Sequence, residues 1–204
     1  MATNTDSTST TIPKNNLPTP NRYITSYDPS TLLSIFTPSI PESHASYTTA
    51  NSNMVVHDSY RTLSNPPPLT NEVDLTQLES HLPIPSSPDP SRQLPNVNRI
   101  WFPALDQTLL RHCDFPPNST LPMHRTETVD LGVCVAGSME LTLDSGEKRV
   151  MNVGDVIVQR GTMHAWRNPS ETEWARVVFF LVGAEPVVVG GRPMREEVDW
   201  PTEE

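Results

Sequence analysis

Met139-Glu140-Leu141-Thr142-Leu143-Asp144-Ser145-Gly146-Glu147-Lys148-Arg149-Val150-Met151-Asn152-Val153-Gly154-Asp155-Val156-Ile157-Val158-Gln159-Arg160-Gly161 is the stretch that decides the fold. Met139, Leu141 and Leu143 alternate with Glu140, Thr142 and Asp144, the two-residue period of a half-buried strand. Asp144-Ser145-Gly146-Glu147 supplies a turn and Lys148 to Met151 a returning strand. Asn152-Val153-Gly154-Asp155 turns the chain again into a further short strand, Val156 to Gln159.

The same rhythm continues on both sides. Upstream, Val129 to Val135 reads as a strand that turns at Ala136-Gly137-Ser138. Downstream, Arg160-Gly161-Thr162 turns into His164-Ala165-Trp166. Trp174 to Val182 is apolar enough to predict a strand covered on both faces. Arg99-Ile100-Trp101-Phe102 and Thr108 to Phe115 predict two more strands, separated by Pro103 and closed by Pro116-Pro117. No segment shows a helical period over twelve residues. Short strands with glycine-marked turns predict an all-β fold, a closed barrel or jelly roll.

Proline and glycine divide the 204 residues into two regimes. Of 22 prolines, 18 lie at or before Pro122, whereas all 8 glycines lie at or beyond Gly132. Residues 1–20 are Ser, Thr, Asn and Pro and are expected to be a disordered leader, having too little apolar surface to offset chain entropy. Residues 21–96 are expected to form an extended, Pro-rich N-terminal arm packing on the barrel, because segments such as Asn65-Pro66-Pro67-Pro68 and Pro83-Ile84-Pro85 fix φ and cannot donate to a ladder. Residues 97–190 are the expected barrel. Residues 191–204 form an acidic C-terminal tail with Trp200 as its one anchor.

A net charge of −10 argues against binding nucleic acid or an anionic membrane surface. The longest late apolar run, Val177 to Val182, is too short to span a bilayer. With no basic start and apolar core at the N-terminus, a cytoplasmic location is expected. Cys113 and Cys134 fit it as free thiols.

The chemistry-bearing residues are His124, Asp130 and His164. His124 and Asp130 are six apart, so on one regular strand they point to the same face, together with Thr126, Thr128 and Cys134. His164 opens another strand, and the barrel can bring the three side chains to one inner point. Trp166 shares the parity of His164 and could stack on a flat substrate or fill the core. Arg160 reads as a carboxylate clamp or as a solvated turn arginine. By parity Glu127 should point away from the site, and His112 is taken as structural.

These residues resemble the two motifs of the cupin superfamily. His124-Arg125-Thr126, Asp130 and Gly137 follow the spacing of the first motif, and Gly154, Gly161, His164 and Asn168 follow the second with one residue fewer between the glycines. The resemblance implies a single cupin barrel over roughly residues 97–183. Two departures bear on function. Thr126 stands where metal-binding cupins have their second His, and Asp130 stands for the usual Glu. Gln159 and Arg160 fill positions before Gly161 where many cupins carry Pro.

Two His and a carboxylate can still hold one divalent metal, Fe, Mn or Zn, with positions open for substrate. Without a metal the same trio can move protons in a dehydration, isomerisation or cyclisation. Cupins similar to this one are labelled oxidoreductases of fungal polyketide pathways. The resemblance therefore implies an enzyme of secondary metabolism acting on a small oxygenated, aromatic or pre-aromatic metabolite, by oxidation or by dehydration and aromatisation. His124, Asp130 and His164 would be its catalytic or metal-binding residues. Thr126, Thr128, Cys134, Gln159 and Trp166 would bind substrate. A non-catalytic binding protein and a metal-dependent sugar isomerase are the alternatives. No nucleotide cofactor is expected, and a homodimer is.

Overall fold

The computed structural model of the chain describes residues 12–43, 45–81 and 101–198. Expectations placed on the first eleven residues, Pro83-Ile84-Pro85, Arg99-Ile100 and Trp200 lie outside the described residues. In chain order the elements are β1 (Thr25–Tyr27), β2 (Ser34–Phe36), β3 (Tyr47–Thr48), β4 (Val55–Thr62), α1 (Val73–His81), β5 (Thr108–Phe115), β6 (His124–Arg125) and β7 (Thr128–Ala136). They continue with β8 (Ser138–Leu143), β9 (Lys148–Asn152), β10 (Val156–Arg160), β11 (His164–Arg167), β12 (Ala175–Gly183), β13 (Val188–Val189), β14 (Arg192–Pro193) and β15 (Glu197–Val198).

Two antiparallel sheets enclose the core in a jelly-roll arrangement. One has the order β10-β7-β12-β5-β4-β3 and the other β15-β6-β11-β8-β9. The alternation read from the sequence sets which residues point inward. On β7 these are Thr128, Asp130, Gly132 and Cys134, and on β12 Ala175, Val177, Phe179 and Leu181. Met139 and Leu141 of β8 and Met151 of β9 meet them from the other sheet. Gly132 is required by this packing, since a Cβ there would lie 2.7 Å from an Ile157 methyl and 2.9 Å from the Phe179 ring. Gly137, at φ 66°, makes the turn that carries the chain from one sheet to the other.

Four expectations need correction. Trp101 and Phe102 are not in a strand but pack against the core as irregular chain, with the Trp101 carbonyl accepting from Arg111 Nη2 at 3.0 Å and Pro103 unable to donate to a ladder. The outer face of β12 is only partly covered, and Phe180 on it is 39 % exposed. His124 and Asp130 do not share a strand. The extended run breaks at Thr126-Glu127, so His124 joins one sheet and Asp130 the other. Finally, a helix occurs between the strands. In α1, Leu75 and Leu78 are one turn apart and bury against Ile40, Ile24 and Tyr60.

The N-terminal half is woven into the larger sheet, since β4 pairs with β5 over Val55–Thr62. Residues 13–18 lie on the outer face of that sheet. Trp174 Nε1 donates to the Pro13 carbonyl at 3.0 Å, and Arg176 Nη1 to the Pro18 carbonyl at 2.7 Å. Asn15 Nδ2 donates to Asp114, which is fully buried and paired with Arg176. Proline lacks a donor but its carbonyl still accepts, so a Pro-rich strip can be held by donors reaching out from the sheet. Among the described residues, no helix is long and apolar enough to cross a membrane.

Candidate functional site

His124 on β6 and His164 on β11 are direct cross-strand partners. Their rings lie 4.3 Å apart, centroid to centroid, tilted by 55°. Each ring is fixed by its own backbone. His124 Nδ1 lies 2.8 Å from the Pro122 carbonyl, and His164 Nδ1 lies 2.8 Å from the Thr162 carbonyl. A carbonyl can only accept, so both Nδ1 atoms carry the proton. In the neutral rings Nε2 then holds the lone pair. Burial favours this neutral form. It lowers the pKa of His124, and burial together with the neighbouring His124 pushes His164 down to about 3.

Asp130 lies on the same cavity, 6 % exposed, with Oδ1 making no hydrogen bond among the described residues. Burial pushes its carboxyl up to about 6, against a hydrogen bond from Thr128 and the positive charge of Arg111. Directly across the strands stands Gln159. It is 4 % exposed, and neither its Oε1 nor its Nε2 has a partner among the described residues. Asp130 Oδ1 and both ends of the Gln159 amide thus face each other unmet, although an unmet buried donor or acceptor costs about 1–3 kcal/mol.

His124, Asp130, Gln159, His164 and Trp166 line one cavity of about 60 Å³. That holds a few waters or one functional group. Its apolar wall includes Phe179, whose ring meets Trp166 edge-on at 5.6 Å. The other expected binding residues lie elsewhere. Thr126 and Thr128 are buried and bond each other at 2.6 Å, away from the cavity wall. Cys134 has the inward parity but lies further along β7, its thiol against the Ala136 and Gly137 carbonyls. The thiol on the cavity wall is Cys113.

Arg111 also lines the cavity and was not anticipated. It is buried, ion-paired to Asp58 at 2.6 Å, and donates to Tyr47 Oη at 3.2 Å. Its position on β5 shares the parity of Cys113 and Phe115, the signal that could have found it. His112 faces the opposite way, 3.0 Å from Ser59 Oγ. Glu127 points outward, toward Arg195 and Glu196. Arg160 is exposed at the end of β10.

Whether these residues fit a divalent metal is a matter of how many donors meet. His124 and His164 offer two imidazole nitrogens of the right kind. Among the described residues, however, no three His, Cys, Asp or Glu side chains are gathered closely enough to hold an ion, so Asp130 does not complete the expected set. Such centres use three or more protein ligands. The side chains as placed do not fit one, and no step is derived through a metal.

The Cupin domain family model matches residues 111–181, which span β5 to β12 and the whole cavity apart from Met54 and Phe102. The chain is 40% identical over 176 residues to Phomopsin biosynthesis cluster protein C' of Diaporthe leptostromiformis, covering 86% of this chain and 85% of the relative. It is 40% identical over 135 residues to Oryzines biosynthesis cluster protein J of Aspergillus oryzae, covering 66% and 68% of the two chains. It is 36% identical over 135 residues to the cupin-domain-containing oxidoreductase srdB of Neurospora crassa, covering 66% and 60%.

Proposed function

The chain belongs to the cupin family, and from that premise we propose that it is an enzyme of secondary metabolism that moves protons on a small oxygenated metabolite. The observation that carries this reading is the pairing of two tautomer-fixed imidazoles with a buried carboxyl whose Oδ1 is unbonded, on one cavity. The relatives in biosynthesis clusters support the metabolic setting.

Burial has reversed the usual order of the two acid types. Asp130, near 6, carries its proton over a useful part of the range below neutrality, while His164 stays neutral there and burial favours the neutral form of His124. Asp130 is then the acid and His124 the base, with His164 an acceptor that orients the substrate. In a dehydration, His124 Nε2 takes the proton from the carbon next to a carbonyl. Asp130 gives its proton to the departing hydroxyl, water leaves, and the C–H electron pair becomes the new double bond. Transfer of the imidazolium proton to the Asp130 carboxylate restores both groups. Gln159 can donate to the carbonyl oxygen as the enol forms. The apolar wall of Trp166 and Phe179 keeps water out and suits an aromatic or pre-aromatic ring.

The oxidoreductase name of the Neurospora crassa relative favours a second reading, loss of two hydrogens to an external two-electron acceptor instead of loss of water. One experiment separates them. The gene is replaced in its source organism by His124→Ala, His164→Ala and Asp130→Asn versions, and extracts are compared by mass spectrometry. An accumulating intermediate heavier than the lost product by one water supports elimination. A difference of two hydrogens transfers the site to oxidation. An unchanged metabolite profile in all three strains rejects the enzyme and leaves a binding protein.

A further inference from the structure

The cavity that holds the chemistry is far too small for a ring-bearing metabolite, at about 60 Å³ against the 300 Å³ or more of ordinary ligand pockets. A groove of about 440 Å³ adjoins it. Leu141 and Leu143 of β8 form one apolar side, and Ile157 of β10 with Val187 forms the other. Gln159 lines both spaces and so stands at their junction. The polar groups at the groove are Arg149, Arg160, Glu147 and Thr162.

Arg149 is placed unusually. It pairs with Leu141 across the strands, one step along from the Met139–Met151 pair of the core, so it projects from the core-facing side of β9. Its side chain is nevertheless 76% exposed. Lys148, the next residue, projects from the other side and pairs with Glu140. Arg149 Nη1 donates to the Lys148 carbonyl at 2.7 Å and its one ion-pair contact, with Glu147, is long at 3.9 Å, while Arg160 has no ion pair among the described residues. Two arginines and one glutamate leave one net positive charge, in a protein whose total is −10.

We propose that this groove is the seat of the substrate and that it takes an apolar organic acid. The inference deepens the function proposed above and rests on it for the catalytic end only. The hydrophobic body lies between Leu141, Leu143 and Ile157. One carboxylate meets Arg149 and Arg160 at the open end. An uncharged oxygen function, a carbonyl, enol or hydroxyl, reaches Gln159, whose amide can both donate and accept. Gln159 then presents the reacting end to Asp130 and the two imidazoles. A glutamine with a purely packing role would have its amide bonded, and this one faces the unbonded Oδ1 of Asp130 across the strands.

Isothermal titration calorimetry with 2-naphthoate and its uncharged analogue 2-naphthamide tests the seat directly, without turnover. The wild-type protein should bind 2-naphthoate about tenfold more tightly than the amide, a gap of about 1.4 kcal/mol. The double variant Arg149→Gln/Arg160→Gln, exposed and safe for folding, should erase that preference. Ile157→Trp should abolish binding of both, with circular dichroism checking that it folds. Equal affinity for acid and amide in the wild type, or acid binding untouched in the double arginine variant, overturns the proposal. Because the seat is read here by binding and the chemistry above by metabolites, the two readings fail separately. Intact binding beside an unchanged metabolite profile removes the enzyme and keeps the seat, while lost metabolite beside absent binding does the reverse.

Discussion

Replacing Asp130 by asparagine should make the protein more stable at pH 8 and leave it no more stable at pH 4. The folded state holds the Asp130 proton up to about pH 6, whereas an unfolded chain releases it near its ordinary 3.8. A raised carboxyl pKa means that folding opposes ionisation, so a penalty begins as pH rises past 3.8 and is fully present above about 6. At about 1.4 kcal/mol per pKa unit, the gap amounts to roughly 3 kcal/mol. Asparagine is nearly isosteric and cannot ionise, so it removes the penalty. Urea denaturation of both proteins at half-unit steps from pH 4 to 8 gives the difference curve, in which titrations common to both cancel. The difference should climb between pH 4 and 6 and then level off, the variant ahead by up to about 3 kcal/mol. Parallel stability curves across that window would falsify the idea that burial holds the carboxyl in its protonated form.

Further expectations follow from the same geometry. His164 is depressed from 6.5 to about 3, so its contribution is present above pH 6.5 and lost as pH falls toward 3. His164→Gln should flatten that acid limb in urea titrations, and an unchanged limb would place the acid sensitivity elsewhere. Asn168 is fully buried and its Nδ2 donates to the Phe115, Pro116 and Glu173 carbonyls at 3.0, 3.2 and 2.8 Å. Asn168→Ala should cost about 3 kcal/mol, at roughly 1 kcal/mol per bond, read as a lower urea midpoint. Asn15→Ala breaks the arm's bond to Asp114, and about 1–2 kcal/mol should be lost together with a red shift of Trp174 emission. An unmoved spectrum would show that residues 13–18 do not cover that ring in solution. For the homodimer, light scattering at micromolar concentration should give twice 22.7 kDa, and a single-chain mass refutes it.

The strands were legible wherever the sequence kept its two-residue period, as from Met139 to Arg160, because the period is set by which face is buried. Trp101-Phe102 misled because its apolar character comes from packing against Arg61 and the core, not from pairing. The helix α1 escaped notice because it is short and the apolar residues it buries are just Leu75 and Leu78, with Asp74 beside them. At the site, parity gave the right face but said nothing of position along the barrel. Cys134 therefore shares a face with Asp130 yet lies away from the cavity. His124 reached the cavity by a route that parity did not describe, through a break in the strand and a partner in the opposite sheet. Gln159 could not be judged from its own neighbours, since its lack of bonds depends on what faces it across β7.

One physical cause, burial behind Trp166, Phe179 and the two sheets, moves the carboxyl up and the imidazoles down. Asp130 Oδ1 and the Gln159 amide are at the same time left without partners among the described residues. A site selected for stability alone would carry asparagine or an apolar residue at position 130. The roughly 3 kcal/mol that Asp130 costs above pH 6 is therefore the measure of what the ionisable group supplies. If Asp130→Asn stabilises the fold and also abolishes the metabolite, stability and function are opposed at one atom, as expected for a group held ready to give up a proton. If it stabilises the fold and spares the metabolite, the proton comes from elsewhere, and His124 and His164 must act without it.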